Sequence, residues 1–206
     1  MQKLFLMSVA PLEDENLFKT AYDLVSDIRK QKTDKFVLAK DKHLCVGAGL
    51  LLQYALGTEN IELVYGKYKK PFLKNGKKYF NISHSKDYAI CVVGDCENGC
   101  DIEKIADYDD AVAKRVLTKS EYENLCDSED KNKRFFEYWT MKESYTKAVG
   151  CGLHIAPNEL DLQTDCADWV FSKFDVADYI ISVCSKDACA DLENVNIENI
   201  IRGHKI

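Results

Sequence analysis

Proline is scarce: Pro11, Pro71 and Pro157 are the only three in 206 residues, and no low-complexity stretch interrupts the chain. That argues against a long flexible linker and leaves one domain, or two small halves sharing an interface. None of the nine cysteines forms a C-x-x-C pair, their number is odd, and several sit in apolar runs. A disulfide framework is therefore not expected, and buried free thiols in a reducing cytoplasm are. The spacing of Cys91, Cys96 and Cys100 matches no common zinc or iron–sulfur pattern. No run of 18 apolar residues occurs, and the short apolar opening meets Glu13-Asp14-Glu15 at once. Neither a secretory signal nor a membrane-spanning helix is expected, so the reading is a cytoplasmic protein without a membrane partner. A net positive charge is also missing, and a formal charge of -6 argues against a nucleic-acid binder held by phosphate contacts.

What is present is an ordinary globular balance, 46% apolar and 30% charged, with an uneven distribution of sign. Residues 1–98 carry 15 Lys+Arg against 12 Asp+Glu, and residues 99–206 carry 13 against 22. A basic half beside an acidic half suits a phosphate-bearing ligand that needs a metal, and equally two halves that attract each other.

Periodicity predicts strands at 3–9, 61–65, 79–82, 88–93 and 100–105, and helices at 14–30, 41–56, 109–125 and 131–149. Asp41 is read as an N-cap, with Gly57 and Gly150 as helix stops. Residues 66–78 form a lysine-dense loop. Further strands are expected at 159–163, 168–174 and 179–184, followed by an ill-defined acidic tail. Helices on small sheets with short connections make an α+β fold, not a doubly wound one.

Three segments can carry chemistry. In Asp101-Ile102-Glu103, strand alternation points both carboxylates one way and Ile102 into the core. Two adjacent carboxylates fit a hard divalent cation, and equally a solvated strand face. In W-T-M-K-E-S-Y-T-K, Trp139, Glu143 and Lys147 share one helical face at i, i+4 and i+8. They fit a charged pair facing a cleft, and equally a surface ion pair beside a packed aromatic. In F-N-I-S-H-S, Ser83, His84 and Ser85 end a strand after the lysine loop. No strand–turn–helix elbow exposes a nucleophile there, so phosphate contacts suit these residues better than hydrolase chemistry.

In that order, F-N-I-S-H-S, G-C-D-I-E-K and W-T-M-K-E-S-Y-T-K resemble the 4′-phosphopantetheinyl transferase superfamily, nearest to its larger, two-lobed, surfactin-synthetase-activating type. The resemblance runs from about Lys70 to Leu153, and more weakly back to Asp41-Lys42-His43. It implies two similar α+β lobes forming a pseudo-dimer, with residues 1–98 binding coenzyme A and residues 99–206 carrying the metal and catalytic groups. Asp101, Glu103 and Glu143 would bind Mg²⁺, with Mn²⁺ able to substitute. Lys147 would neutralise the phosphates, and Glu143 would take the proton of the acceptor serine. Ser83 and His84 would hold the nucleotide end, Lys70 and Pro71 its adenine side, and Arg29 and Lys32 further phosphates. The implied activity is transfer of phosphopantetheine from coenzyme A to an apo acyl or peptidyl carrier protein, by a monomer.

Two positions depart from the family pattern. Leu44 stands where an arginine often grips a phosphate, and Cys100 replaces a β-branched residue. The alternatives are a coenzyme A- or carrier-binding protein without turnover, and an unrelated two-metal phosphohydrolase. If the carboxylates only crowd one another, removing Asp101 or Glu143 is expected to leave the metal-free protein's stability intact.

Overall fold

The computed structural model describes residues 1–152 and 155–203, apart from the side chain of Ala190. Leu153, where the resemblance ends, lies outside the described residues. The chain runs β1 (Gln2–Ser8), α1 (Glu15–Leu24), α2 (Asp27–Thr33), α3 (Ala39–Leu56), β2 (Leu63–Tyr65), β3 (Pro71–Leu73), β4 (Tyr79–Ser85) and β5 (Tyr88–Gly94). It continues with β6 (Asn98–Lys104), α4 (Asp110–Val116), α5 (Lys119–Cys126), α6 (Lys131–Val149), β7 (Val170–Val176), β8 (Tyr179–Ser185), β9 (Cys189–Val195) and α7 (Ile197–Gly203). The fold is α+β, as the sequence predicts.

One sheet has the order β4-β5-β1-β9, another the order β6-β8-β7, and β2 and β3 form a small hairpin. Strand alternation turns these sheets into layers. Phe5, Met7, Cys91 and Val93 face α3 and pack with Ala48, Leu51 and Leu52. Leu4, Leu6, Ile90 and Val92 face the other way and meet Cys100, Ile102, Ile181 and Val183 of the second sheet. The far face of that sheet meets α6, where Thr140 and Ser182 share a hydrogen bond of 2.8 Å and Tyr145 and Ala148 pack with Cys184. The order of layers is helix, sheet, sheet, helix.

Several expected elements are divided or absent. The helix expected over 14–30 breaks at Val25, which is extended, because Ser26 restarts the chain as an N-cap accepting from the Arg29 amide. The one expected over 109–125 breaks at Leu117, because Thr118 and Glu121 form a capping box that begins α5. Asp41 lies in the first turn of α3 rather than at its cap, which is Leu38. The strand expected at 159–163 is instead a 3₁₀ turn, Pro157–Glu159, followed by turns. There Asp161 accepts from the Gln163 and Thr164 amides and competes with any ladder. The lysine loop supplies the turn and second strand of the β2–β3 hairpin, closed by Gly66 N to Lys70 O at 3.0 Å.

The acidic tail is structured within the described residues. β9 pairs in parallel with β1, and α7 buries Ile197, Ile200 and Ile201 against the α3 core. A division at 98/99 thus falls inside β6, and the chain returns to the first sheet at its end.

Lys142, a motif residue to which the sequence assigns no role, holds α5 to α6. Its Nζ donates to Glu121 Oε2, Pro157 O and Leu160 O, each at 2.7 Å. Burial pulls the ammonium down from its ordinary value, against the opposing pull of Glu121. Lys142→Met is expected to cost about 3–5 kcal/mol in guanidinium denaturation, because the Glu121 carboxylate is left buried and uncompensated. Adding Glu121→Gln, which keeps the capping box but removes the charge, is expected to recover most of that loss.

Candidate functional site

The site lies where the two sheets meet edge to edge. β4 and β6 run parallel along a seam stitched by side chains. Asn81 Oδ1 accepts from the Cys100 amide at 3.0 Å, Ser83 Oγ donates to Asp101 Oδ1 at 2.8 Å, and Ser85 Oγ donates to Glu103 Oε2 at 2.8 Å. The period of two on both strands sets this spacing. Residues 81, 83 and 85 face β6, while Phe80 and Ile82 pack toward α3. His84 alternates to the side of Phe80 and Ile82.

α6 lies across β6 at unusually short range because residue 99 is glycine. A Cβ there would fall within the backbone of Ser144 and Ala148, with Ala148 Cα only 2.9 Å away. That approach brings Glu143 and Lys147, one turn apart on α6, beside Asp101 and Glu103. Lys147 Nζ donates to Asp101 Oδ1 at 2.5 Å and to Ser83 Oγ at 3.0 Å.

Asp101, Glu103, Glu143, Lys147, Ser83, His84, Ile82 and Trp139 line one cavity of about 290 Å³. All three expected ligand carboxylates therefore share it with the expected phosphate-binding lysine. Burial pushes the Glu103 carboxyl up, with Ser85, Lys147 and Trp139 pulling against it and Asp101 adding to it. Burial likewise pushes Glu143 up, with Asp101 reinforcing and Lys147 opposing. Burial pulls Lys147 down, but the Asp101 carboxylate outweighs it and holds the ammonium above its ordinary value. Asp101 thus adds negative potential at both glutamates and at Lys147, while burial disfavours charge on each of them.

The His84 imidazole is held below its ordinary value by partial burial, then by the charges of Lys147, Lys32 and Arg29. Arg29 and Lys32 stand on α2, and the Arg29 stem lies on Gly49 of α3, its Cγ 3.1 Å from where a Cβ would sit. Arg29 and Lys32 thus supply positive potential at His84, whose own imidazole is disfavoured as a cation. Leu44 is buried in the α3 core and contributes no charge.

Lys70 and Pro71 are placed elsewhere. Neither lines the cavity; Pro71 begins β3, and the Lys70 ammonium donates to Asn98 O and Ala148 O at 3.0 and 2.6 Å. Sequence reasoning missed Asn81, the pairing of Ser85 with Glu103, and Gly99. The common spacing of two on the β4 and β6 motifs is the signal for the first two. The closeness permitted by Gly99 has no local signal.

Comparison with known proteins fits this arrangement. Residues 97–194 match the 4'-phosphopantetheinyl transferase superfamily. The chain is 32% identical over 167 residues to the 4'-phosphopantetheinyl transferase gsp of Aneurinibacillus migulanus, covering 77% of this chain and 70% of that protein. It is 31% identical over 163 residues to psf-1 of Bacillus pumilus, covering 73% and 70%, and 31% identical over 140 residues to Sfp of Bacillus subtilis, covering 64% and 62%. The chain belongs to the 4'-phosphopantetheinyl transferase superfamily, among its Sfp-like members.

The donor set fits a hard divalent ion: three carboxylates border one cavity, and Asp101 Oδ2 is buried with no hydrogen-bond partner. Among the described residues, no three acidic, histidine or cysteine side chains are yet gathered closely enough to hold an ion as they stand. Lys147 is instead paired with Asp101.

Proposed function

We propose that this chain transfers the 4′-phosphopantetheine group of coenzyme A to a serine of an apo acyl or peptidyl carrier protein, releasing 3′,5′-ADP. The observation that carries the reading is the single cavity in which Asp101, Glu103, Glu143 and Lys147 face Ser83 and His84, in a member of this superfamily. Asp101, Glu103 and Glu143 would hold Mg²⁺ or Mn²⁺, which when bound supplies positive charge to the pyrophosphate.

The protein's own groups account for the rest. Arg29 and Lys32 as cations and His84 as a hydrogen-bonding group hold the nucleotide's phosphate. The serine oxygen bonds to the β-phosphorus as the bond to the departing 3′,5′-ADP breaks. Lys147, fixed by Ser83 and Asp101, neutralises the charge that grows on the leaving phosphate. Glu143 in its ionised form accepts the serine proton, and its raised affinity for a proton makes it a better base than an exposed glutamate.

The halves also repeat one another in order. Apart from the β2–β3 hairpin, a strand, three helices and two strands give β4-β5-β1 in the first and, in the same order, β7-β8-β6 in the second. This supports two similar lobes, with β9 and α7 as additions, and a monomer in which one chain builds one site. The nine cysteines are free, and no described helix is long and apolar enough to cross a membrane. A cytoplasmic enzyme working on coenzyme A and a carrier fits both observations.

The test is to mix the protein with apo carriers, coenzyme A and Mg²⁺ and to weigh each carrier. A gain of one phosphopantetheine group is expected on at least one. If coenzyme A binds but every carrier in a broad panel keeps its mass, the protein is a binder without turnover and the proposal fails.

Glu143→Gln separates chemistry from stability. A carboxyl raised by folding keeps its proton longer than in the unfolded chain, so its stability contribution falls as pH rises through the folded value. Near neutrality the ionised group is therefore a cost. Without metal, the variant is expected to melt at or about 1–3 °C above wild type. In the assay with Mg²⁺ its transfer is expected to be reduced about 10²-fold. A lower melting point at pH 7 would show that Glu143 is a structural partner.

A further inference from the structure

We infer that Lys70 is a positioning residue that fixes the C-terminal turn of α6, and with it Lys147 and Glu143, through hydrogen bonds to the Ala148 and Asn98 carbonyls. This rests on the transferase reading of the cavity. The last carbonyls of a helix have no intrahelical partner, and a cation there also meets the negative end of the helix dipole. Lys70 supplies both, donating at 2.6 Å to Ala148 O. The acceptor is adjacent in sequence to Lys147, whose ammonium touches Asp101 and Ser83.

The second bond, 3.0 Å to Asn98 O, reaches the first residue of β6, next to Gly99. The strand carrying Asp101 and the helix carrying Lys147 are therefore joined through one ammonium, beside the close contact of Gly99 with Ala148. Asn98 is itself anchored, its Nδ2 donating to Gln2 Oε1 at 2.8 Å and Tyr79 O at 3.3 Å.

The lysine is built into this place. Its ammonium lies 5.6 Å from the Phe72 ring centre, and its stem rests on the helix-ending Gly150, with Cδ 2.9 Å from where a Cβ would sit. Lys69 takes a left-handed φ of 64° at the turn that delivers Lys70. Burial pulls the Lys70 ammonium down to about 8. A side chain set this deeply between two carbonyls does not reach a nucleotide in the cavity.

The experiment uses the full chain carrying Lys70→Met, with three readouts. Coenzyme A affinity by calorimetry is expected to stay within about twofold of wild type, while kcat for transfer falls by about tenfold or more, because small displacements of catalytic groups are costly. Amide hydrogen exchange across residues 145–149 is expected to speed up by about tenfold as the helix end loosens. Lys70→Arg, which restores charge and donors, is expected to recover kcat and exchange protection together.

Affinity weakened about tenfold or more with unchanged exchange would overturn the inference and make Lys70 a coenzyme A ligand. Faster exchange with unchanged kcat would overturn it as well, leaving a purely structural contact. Should Lys70→Met not fold, Lys70→Gln, which keeps two N–H donors without the charge, provides the same comparison. A wild-type protein inactive on every carrier would defeat the transferase reading, while exchange would still report whether Lys70 holds the helix end.

Discussion

Asp101→Ala is expected to reduce transfer by about 10³-fold and, in the same protein, to lower stability by about 2–4 kcal/mol. Carboxylate crowding alone predicts no stability loss, and the structure shows why that expectation is incomplete. Asp101 is 3% exposed and accepts from both Lys147 and Ser83, so its removal strands a cation and a hydroxyl. Lys147 keeps 28% of its side chain exposed, so water compensates part of the loss and the estimate lies below that for a fully buried pair.

The controls follow from this account. Asp101→Asn still accepts hydrogen bonds but carries no charge, so it is expected to recover part of the stability and almost none of the activity. Asp101→Ala with Lys147→Met removes both charges and is expected to approach wild-type stability while remaining inactive. Denaturant midpoints and carrier mass spectra measure the two quantities. An Asp101→Ala protein as stable as wild type would show that the Lys147 pair contributes nothing.

The parts of the molecule legible in the sequence are those governed by local periodicity. Alternation along 100–105 correctly gave Asp101 and Glu103 one face and Ile102 the other, because a strand has only two faces. The end of α6 was equally legible, since glycine is the residue that adopts the φ of 73° found at Gly150 with least strain. The chemical motifs were readable too, because Glu143 and Lys147 lie one helical turn apart and need no tertiary information to share a side.

What could not be read depends on contacts between segments remote in sequence. Lys142 looks like any surface helix lysine until Glu121 and the 157–160 segment close over it. The acidic 189–195 segment has no strand signal of its own strength, and becomes a strand by pairing with β1 some 190 residues earlier. Capping also decided against longer periodic runs. Ser26 and Thr118 each stopped one expected helix and started another, where local hydrogen bonds outweighed a continuing apolar stripe. The destination of Lys70 was hidden for the same reason, since both of its carbonyl partners are supplied by another part of the fold.

Gly99→Ala is expected to be the most damaging single-methyl change in the protein, costing about 3 kcal/mol or more. The obstructing atoms are backbone, the Ser144 carbonyl oxygen and the Ala148 amide nitrogen, so no rotamer change relieves the overlap. Relief requires α6 to move away from β6 or the strand to twist, and each disturbs packing that includes Tyr145, Ala148 and Cys184. Because Glu143 and Lys147 flank the contact along α6, the same movement draws both from Asp101. Transfer is expected to fall by at least about 10²-fold even at temperatures where the variant is fully folded. Gly76→Ala tests whether the effect is one of close approach or of glycine loss in general. Its Cβ would meet open space, although φ is 63°, so its cost is confined to about 1 kcal/mol of backbone strain with activity retained. Denaturation and transfer assays on the two variants decide the matter. A Gly99→Ala protein with wild-type midpoint and rate would mean that α6 does not lie against β6, and that the cavity between them does not exist.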